Sequence, residues 1–274
     1  RRARTQPRQV GFAADSGMSG WTDSHNHLQV PDLGAVIGVM KQAGIDRCVV
    51  NATREADWAT VADLAVKEPD FVSAAFGIHP WQAHTAGPGW LARLTEMLAN
   101  HPQASIGECG LDGWVTEPPL AVQRPVFIAQ LRLARELDRA VTIHCLKAWE
   151  ALFECFGGAP PPGRFLMHSF GGSIEIARRL LPLGAYFSFS GYFLHPRKSK
   201  VVEVFRQLPH ERILLETDAP DMQPPEEFIR HDLPGNRNHP ANLPAIGEAL
   251  AAALGMTPEA LADLTAANSR RCFG

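Results

Sequence analysis

The chain is predicted to be an α/β protein that folds as a (β/α)8 TIM-like barrel, a single domain with extra C-terminal helices. Short apolar runs alternate with helical patterns along its length, which is typical of a parallel sheet with helical crossovers. Several of these runs end in a histidine or an acidic residue, as expected where the carboxyl ends of barrel strands form a catalytic mouth. No linker or change of composition divides the chain, and 274 residues suit one barrel.

Composition and charge narrow the class of protein. Hydrophobic residues make up 45% of the chain, which is enough for one large core. The formal net charge of −3 provides no global basic field for nucleic acid, so attraction to a polyphosphate must be local or come from metal. No apolar run approaches the ~20 residues that span a bilayer, so no membrane partner is expected. The five cysteines form no C-x-x-C pair, which favours reduced thiols and a cytoplasmic location.

The first residues differ from the rest of the chain. Residues 1–17 are predicted to form a disordered tail, and residues 18–274 are predicted to form the barrel domain. Four arginines lie within the first eight residues, and the stretch lacks the apolar core of a signal peptide. Met18 stands just before the first predicted strand, and we treat it as a hypothetical native start.

Eight short apolar runs are predicted to be the strands of the barrel. They cover Trp21–Leu28, Arg47–Ala52, Phe71–Ile78, Ala104–Leu111, Ala140–Cys145, Arg164–Phe170, Ala185–Gly191 and Arg212–Asp218. Polar side chains gather at the carboxyl ends of these runs rather than along them. In a barrel those ends converge on one mouth, so residues far apart in the chain are expected to meet there.

The stretches between the runs show apolar residues at helical spacing. The predicted helices cover Leu33–Ala43, Asp57–Val66, Trp90–Leu98, Ala121–Leu137, Ala148–Phe156, Ile174–Leu183, Lys200–Leu208, Leu243–Leu254 and Pro258–Arg271. Gly44, Gly157 and Gly184 follow helix ends and are predicted to be left-handed caps. Thr257 is the predicted N-cap of the last helix. The polar, proline-broken stretch Pro224–Pro240 is predicted to be a long loop.

The residues at the strand ends predict a metal centre. His25 and His27 lie two apart in the first run, so their side chains share one face, and paired neutral imidazoles suit a divalent transition metal. With residues from later strand ends they give four imidazoles and two carboxylates. The six candidate ligands are His25, His27, Glu108, His144, His168 and Asp218.

Six such ligands are too many for one catalytic ion, since catalytic zinc usually has about three protein ligands and a water. Two metals that share Glu108 accommodate the set better. A pair of metals can hold a hydroxide and stabilise both the attacking and the leaving oxygen of a phosphodiester. The sequence therefore predicts two divalent ions per chain, and Mg²⁺, Mn²⁺ and Zn²⁺ remain open.

The motifs at the strand ends resemble those of the TatD family of metal-dependent deoxyribonucleases, within the amidohydrolase superfamily. The resemblance extends from about residue 23 to residue 273, and the order and spacing of the motifs are specific. The motifs are D-S-H-N-H-L (Asp23–Leu28), G-I-H-P (Gly77–Pro80), I-G-E-C-G-L-D (Ile106–Asp112), Q-R-P-V-F (Gln123–Phe127), H-S-F-G-G-S (His168–Ser173), E-T-D-A-P (Glu216–Pro220) and N-S-R-R-C-F (Asn268–Phe273).

The resemblance implies roles for individual residues. It implies that His25, His27, Glu108 and Asp218 bind one metal, and that Glu108, His144 and His168 bind the second, with Glu108 as the bridge. Glu108 and Asp218 are then the catalytic residues, and Asp218 accepts the proton of the attacking water. His79 lies where the family contacts a substrate phosphate. Lys147 stands where arginine is common in the family and is a second candidate substrate contact, and Cys109 also departs from the family pattern.

The predicted function is cleavage of DNA phosphodiester bonds by metal-activated water, on single strands or ends and in an exonucleolytic manner. The partner is DNA, and the protein is expected to be a monomer. An alternative is that the same site hydrolyses a carboxylic ester or amide, as an aminoacyl-tRNA deacylase or a small-molecule amidohydrolase does. A third interpretation is a non-catalytic barrel in which the metal only stabilises the fold.

Four neighbouring residues have roles that the sequence only suggests. Asp23 is predicted to hydrogen-bond a ligand histidine. Glu216 either supports the site or faces the substrate, and the pattern does not decide between them. Trp81 either stacks on a base or forms a wall of the mouth. Asp112 is predicted only to cap the loop after its strand.

Overall fold

The computed structural model describes residues 20–30 and 33–274, and it confirms the predicted barrel. Eight parallel strands pair in the order of the chain. They are β1 (Trp21–Asn26), β2 (Ile45–Asn51), β3 (Val72–Phe76), β4 (Ser105–Asp112), β5 (Val141–Leu146), β6 (Phe165–Met167), β7 (Ala185–Ser190) and β8 (Ile213–Glu216). The tail predicted for residues 1–17, and Met18, lie outside the described residues.

Hydrogen bonds between the first and last strands close the sheet. The N–H of Asp218 donates to the carbonyl of His25 at 3.0 Å, and the N–H of His27 donates to the carbonyl of Ala219 at 2.8 Å. The hydroxyl of Ser24 donates to the carbonyl of Leu215 at 2.8 Å. Because β8 meets β1, the carboxyl ends of all eight strands face one mouth.

Helices surround the barrel as the apolar spacing predicts. They are α1 (Ile37–Gln42), α2 (Trp58–Lys67), α3 (Trp90–Asn100), α4 (Leu120–Glu136), α5 (Trp149–Gly158), α6 (Ile174–Leu180), α7 (Ser199–Phe205), α8 (Leu243–Leu254) and α9 (Pro258–Phe273). The predicted N-cap of α9 is confirmed, since Thr257 Oγ1 accepts from the N–H of Ala260 at 3.2 Å. Within the described residues, none of these helices has the length and apolarity to cross a bilayer.

Two local predictions were wrong. Gly44 and Gly184 have the predicted left-handed backbone, with φ of 83° and 99°, but Gly157 lies inside α5. The helix continues past Gly157 because the N–H of Ala159 still reaches the carbonyl of Cys155 at 2.8 Å. The stretch predicted as a plain loop at 224–240 contains a short antiparallel hairpin of β9 (Asp232–Leu233) and β10 (Arg237–Asn238).

Two buried glutamines on one face of α4 fix the ends of β3 and β4. Gln123 accepts from the N–H of Asp112 at 2.7 Å and donates to its carbonyl at 3.0 Å. Gln130 does the same for Ile78, just after β3, at 2.8 and 3.2 Å. Both glutamines are fully buried. Because these amides satisfy backbone groups that no strand pairs, α4 fixes the position of two strand ends at the mouth.

We expect Gln130→Leu to lower the free energy of unfolding by about 2 kcal/mol, because it leaves the buried N–H and C=O of Ile78 without partners. Urea denaturation measures the change. The matched control is Arg132→Leu on the same helix, where the side chain is exposed and the expected change is within about 0.5 kcal/mol. Equal stability of the Gln130 variant and the wild type would show that α4 does not fix this strand end.

Candidate metal centre

The structure brings all six predicted ligands together at the mouth of the barrel. They come from both halves of the chain: Glu108 and His144 lie within β4 and β5, and the other four lie in the last two residues of a strand or at most two residues beyond it. The cup that they form has a volume of about 590 Å³. His25 lies at its base and is fully buried, while Asp218 keeps 8% of its surface exposed.

The first cluster consists of four electron-pair donors around one point. The Nε2 atoms of His25 and His27 are 3.2 Å apart. Glu108 Oε2 lies 3.4 and 3.3 Å from them, and Asp218 Oδ1 lies 3.3 and 3.4 Å from them. Two ligands of one zinc ion, each bonded at about 2.0–2.2 Å, lie at about this separation from each other. The two imidazoles and the two carboxylates therefore lie at the spacing of ligands that share one divalent cation.

The second cluster uses the other oxygen of the same carboxylate. Glu108 Oε1 lies 2.8 Å from His168 Nε2 and 3.2 Å from His144 Nδ1, and those two nitrogens are 3.2 Å apart. His79 Nε2 is also 3.3 Å from Glu108 Oε1. Each oxygen of Glu108 thus faces one cluster, which is the arrangement that a bridging ligand needs.

The outer hydrogen bonds of two histidines direct their lone pairs into the cup. His27 Nδ1 lies 2.8 Å from the carbonyl of Asn51, so that nitrogen carries the proton and Nε2 presents a lone pair. His144 Nε2 lies 3.0 Å from Asp112 Oδ2, so Nδ1 presents the lone pair. Metal-binding histidines commonly donate their outer N–H to a carbonyl or carboxylate in this way.

Positive charge between the carboxylates and the imidazoles would stabilise the cup. Burial opposes ionisation of Glu108, but the imidazoles of His168, His79 and His25 outweigh it and hold the pKa of Glu108 well below its usual range. Imidazole lone pairs that face a buried carboxylate at 3.2–3.4 Å repel it unless a proton or a metal lies between them. The donor set therefore fits divalent metal ions.

Asp112 is a functional residue whose role the sequence analysis missed. Its Oδ2 accepts from His144 Nε2 at 3.0 Å and from Trp81 Nε1 at 2.7 Å, and its Oδ1 accepts from the N–H of Trp114 at 2.7 Å. Burial opposes its charge, but the donors lower the pKa of Asp112 to about 2. It caps the loop as predicted and also orients a candidate ligand. The signal was available, since Asp112 and Glu108 are four apart in one strand and share a face.

Asp23 does not have the predicted contact. Its carboxylate accepts from the backbone N–H of His25 at 3.3 Å rather than from an imidazole. It also accepts from the N–H and hydroxyl of Thr217 at 3.0 and 2.6 Å, and from the amide of Asn26 at 3.0 Å. Asp23 therefore ties β1 to the segment after β8 and supports the cup through the backbone.

Glu216 faces inward rather than toward a substrate. It is fully buried and accepts from the N–H of Ser169 at 2.8 Å and from the hydroxyl of Ser188. Its Oε1 lies 3.6 Å from His168 Nδ1. Of the two roles that the sequence left open, the structure favours support of His168.

Two glycines explain the spacing of the motif around Glu108. A Cβ on Gly110 would lie 2.0 Å from the carbonyl oxygen of His144, and one on Gly107 would lie 2.8 Å from the Cβ of Thr142. Both glycines have positive φ, at 141° and 156°. Because glycine has no side chain at these two positions, β4 can approach β5 closely enough for Glu108 and His144 to meet.

The two predicted substrate contacts lie in different places. His79 lies in the cup, and burial lowers its pKa to about 4, so its imidazole is neutral. Its Nδ1 accepts from the N–H of Trp81 at 3.2 Å, which leaves Nε2–H as a donor that faces the cup. Lys147 lies on the rim, where its Nζ is 3.7 Å from the centre of the Trp114 ring.

Comparison with known proteins identifies relatives over most of the chain. A family model described as TatD related DNase matches residues 22–274. The uncharacterized metal-dependent hydrolase YabD of Bacillus subtilis is 34% identical, over 92% of this chain and 98% of that protein. The protein named 3'-5' ssDNA/RNA exonuclease TatD of Edwardsiella piscicida is 31% identical, over 88% of this chain and 93% of its own length.

Solved structures show the same fold. The crystal structure of YjjV, a TatD homolog from Escherichia coli K12, superposes with a TM-score of 0.85 at 27% identity, and it covers 94% of this chain and 99% of YjjV. A TatD family hydrolase from Entamoeba histolytica has a TM-score of 0.83 at 17% identity, with the same coverage. At that lower identity the likeness shows the fold alone.

We expect Asp112→Asn to weaken zinc binding about tenfold or more, because the amide no longer fixes the tautomer of His144. Titration of metal-free protein with Zn²⁺ against a chelating dye measures the affinity. The control is Asp63→Asn on the exposed face of α2, which should bind zinc as the wild type does. A folded Asp112 variant with unchanged affinity would rule out this orienting role.

Proposed function

Because the chain belongs to the TatD family of metal-dependent hydrolases, we propose that it cleaves phosphodiester bonds of DNA, acting from one end of a single strand. The observation that carries the proposal is the shared carboxylate of Glu108, with one oxygen in each donor cluster. Two divalent ions bound there would lower the pKa of a water and polarise the phosphoryl oxygens of the substrate.

The residues assigned to each ion follow from the two clusters. One ion would be held by the Nε2 atoms of His25 and His27 together with Glu108 and Asp218. The other would be held by Glu108, His144 and His168. Four imidazoles favour a transition ion such as Zn²⁺ or Mn²⁺ over Mg²⁺, which prefers oxygen ligands.

Asp218 is the proposed acceptor of the water proton. Burial opposes its charge, but the neighbouring imidazoles of His25 and His27 outweigh burial and hold the pKa of Asp218 well below its usual range. It is therefore ionised at neutral pH. Its N–H bonds to the carbonyl of His25, and its φ of 55° is a strained value for a residue with a side chain. This conformation fixes the carboxylate at the edge of the cup.

His79 is the proposed phosphate contact. Its neutral imidazole presents Nε2–H toward the cup from a buried position. A neutral donor stabilises a phosphoryl oxygen without adding a charge that would repel the metal ions. Burial and the bond from the Trp81 N–H hold the ring in place.

Two observations support attack at an end of a strand. The interior of a (β/α)8 barrel is filled with side chains, so a cup at its mouth has a closed floor, and a strand enters such a cup by an end more readily than it passes through. The relative from Edwardsiella piscicida is named as a 3'-5' ssDNA/RNA exonuclease. We extend that polarity and the single-strand preference to this chain as part of the proposal.

We expect EDTA to abolish digestion of single-stranded DNA and added Mn²⁺ or Zn²⁺ to restore it. A strand blocked at its 3′ end should resist digestion, whereas one blocked at its 5′ end should be shortened from the other end. Gel analysis of end-labelled oligonucleotides gives both results. Hydrolysis of aminoacyl-tRNA or a simple amide without any cleavage of DNA would instead establish the ester or amide alternative.

We expect Glu108→Gln and Asp218→Asn each to reduce the rate of DNA cleavage at least ~100-fold, since the first loses the shared carboxylate and the second loses the proton acceptor. Initial rates on the same oligonucleotide measure the loss, and circular dichroism checks the fold. Glu96→Gln, on the exposed face of α3, is the control. Nuclease activity near that of the wild type in either site variant would overturn the proposed function.

A further inference from the structure

Exposed aromatic side chains concentrate on one side of the mouth. Among the described residues, the exposed large hydrophobic side chains are Val66, Trp81, Trp114, Val122, Leu146 and Leu183. Trp81 and Trp114 follow the carboxyl ends of β3 and β4, and Leu146 is the last residue of β5. An exposed apolar group on the rim of a catalytic cup indicates a ligand surface more strongly than a single exposed side chain elsewhere.

Trp81 is both exposed and held in place. It keeps 49% of its surface accessible and lines the cup. Its Nε1–H donates to Asp112 Oδ2 at 2.7 Å, and its ring stands nearly perpendicular to that of His79, with 5.0 Å between ring centres. A tryptophan that only formed a wall would bury most of its ring, whereas this one presents a fixed aromatic surface beside the proposed phosphate contact.

Trp114 continues this surface away from the centre. It is 65% exposed, and its N–H donates to the other oxygen of Asp112 at 2.7 Å. The N–H of Gly113 donates to the carbonyl of Leu146 at 2.7 Å, which joins the loops after β4 and β5. The amine of Lys147 lies over the Trp114 ring at 3.7 Å, so a positive charge accompanies the aromatic face.

We propose that Trp81 and Trp114 stack on successive bases of a single-stranded polynucleotide and guide the strand into the cup, with Lys147 beside its phosphates. The inference rests on the proposed function and assigns the part of the substrate that the metal centre does not contact. Aromatic faces bind any base, so this surface holds a strand without selecting a sequence. Paired bases are already stacked within a duplex, so the surface favours single strands.

Binding of two fluorescein-labelled octamers tests the inference. One is a phosphorothioate thymidine octamer, which resists cleavage, and the other has the same backbone with abasic sites. Fluorescence anisotropy with the metal-loaded protein gives both affinities. The wild type should prefer the octamer with bases, and Trp81→Ala should weaken that complex about tenfold (~1.4 kcal/mol at 25 °C) with little effect on the abasic one. Trp114→Ala should act in the same direction.

Two further variants separate stacking from structural damage. Trp81→Phe keeps an aromatic face but loses the bond to Asp112, so it should retain most of the preference for bases. Val66→Ala removes an exposed side chain near the end of α2, outside the residues that line the cup, and should bind as the wild type does.

Three outcomes would overturn the inference. They are a wild type without preference for bases, a Trp81→Ala variant with unchanged affinity, and equal losses on both octamers. Digestion of an unmodified octamer by the wild type is followed in parallel. If the wild type digests the octamer but the tryptophan variants bind as the wild type does, only the stacking inference is wrong. If the wild type digests nothing, the proposed function is wrong as well.

Discussion

The site depends on one buried carboxylate whose two oxygens face two separate sets of imidazole nitrogens. Glu108 lies within 2.8–3.4 Å of the ring nitrogens of five histidines. Neither the carboxylate nor the imidazoles reach bulk water easily, so they remain stable together only when positive charge is distributed among them. The closed barrel, the glycines of β4 and the hydrogen bonds to the outer nitrogens of the histidines keep these donors at contact distance.

The supporting contacts form a shell that is as specific as the candidate ligands themselves. Gln123 fixes the backbone of Asp112, and Asp112 in turn orients His144. Several residues adopt left-handed backbone directly after strand ends, among them Lys147, Ser169 and Asp218. Each such conformation costs about 1–3 kcal/mol of stability, and it persists only because the surrounding structure enforces it. The rigidity of the mouth therefore comes from packing and hydrogen bonds around the cup as well as from the strands.

The sequence predicted the barrel and the meeting of the six polar residues, because both follow from local patterns. Strand periodicity puts His25 and His27 on one face, and parallel strands bring their carboxyl ends to one mouth. The contacts of Asp23 could not be predicted. Its main partner, Thr217, is 194 residues away, and no local sequence pattern indicates a hydrogen bond between the two. The prediction for Gly157 was wrong for a different reason. A glycine near a helix end is a cap only if the backbone hydrogen bonds of the helix stop there.

The closure of the barrel between β1 and β8 has a consequence for how the two donor clusters are assembled. The donors of the second cluster, from Glu108 to His168, all come from one continuous part in the middle of the chain. The donors of the first cluster join the earliest strand to Asp218, so they meet only where β1 pairs with the segment after β8. The first cluster therefore exists only in the closed barrel, and its geometry depends on the pairing of the two ends of the fold.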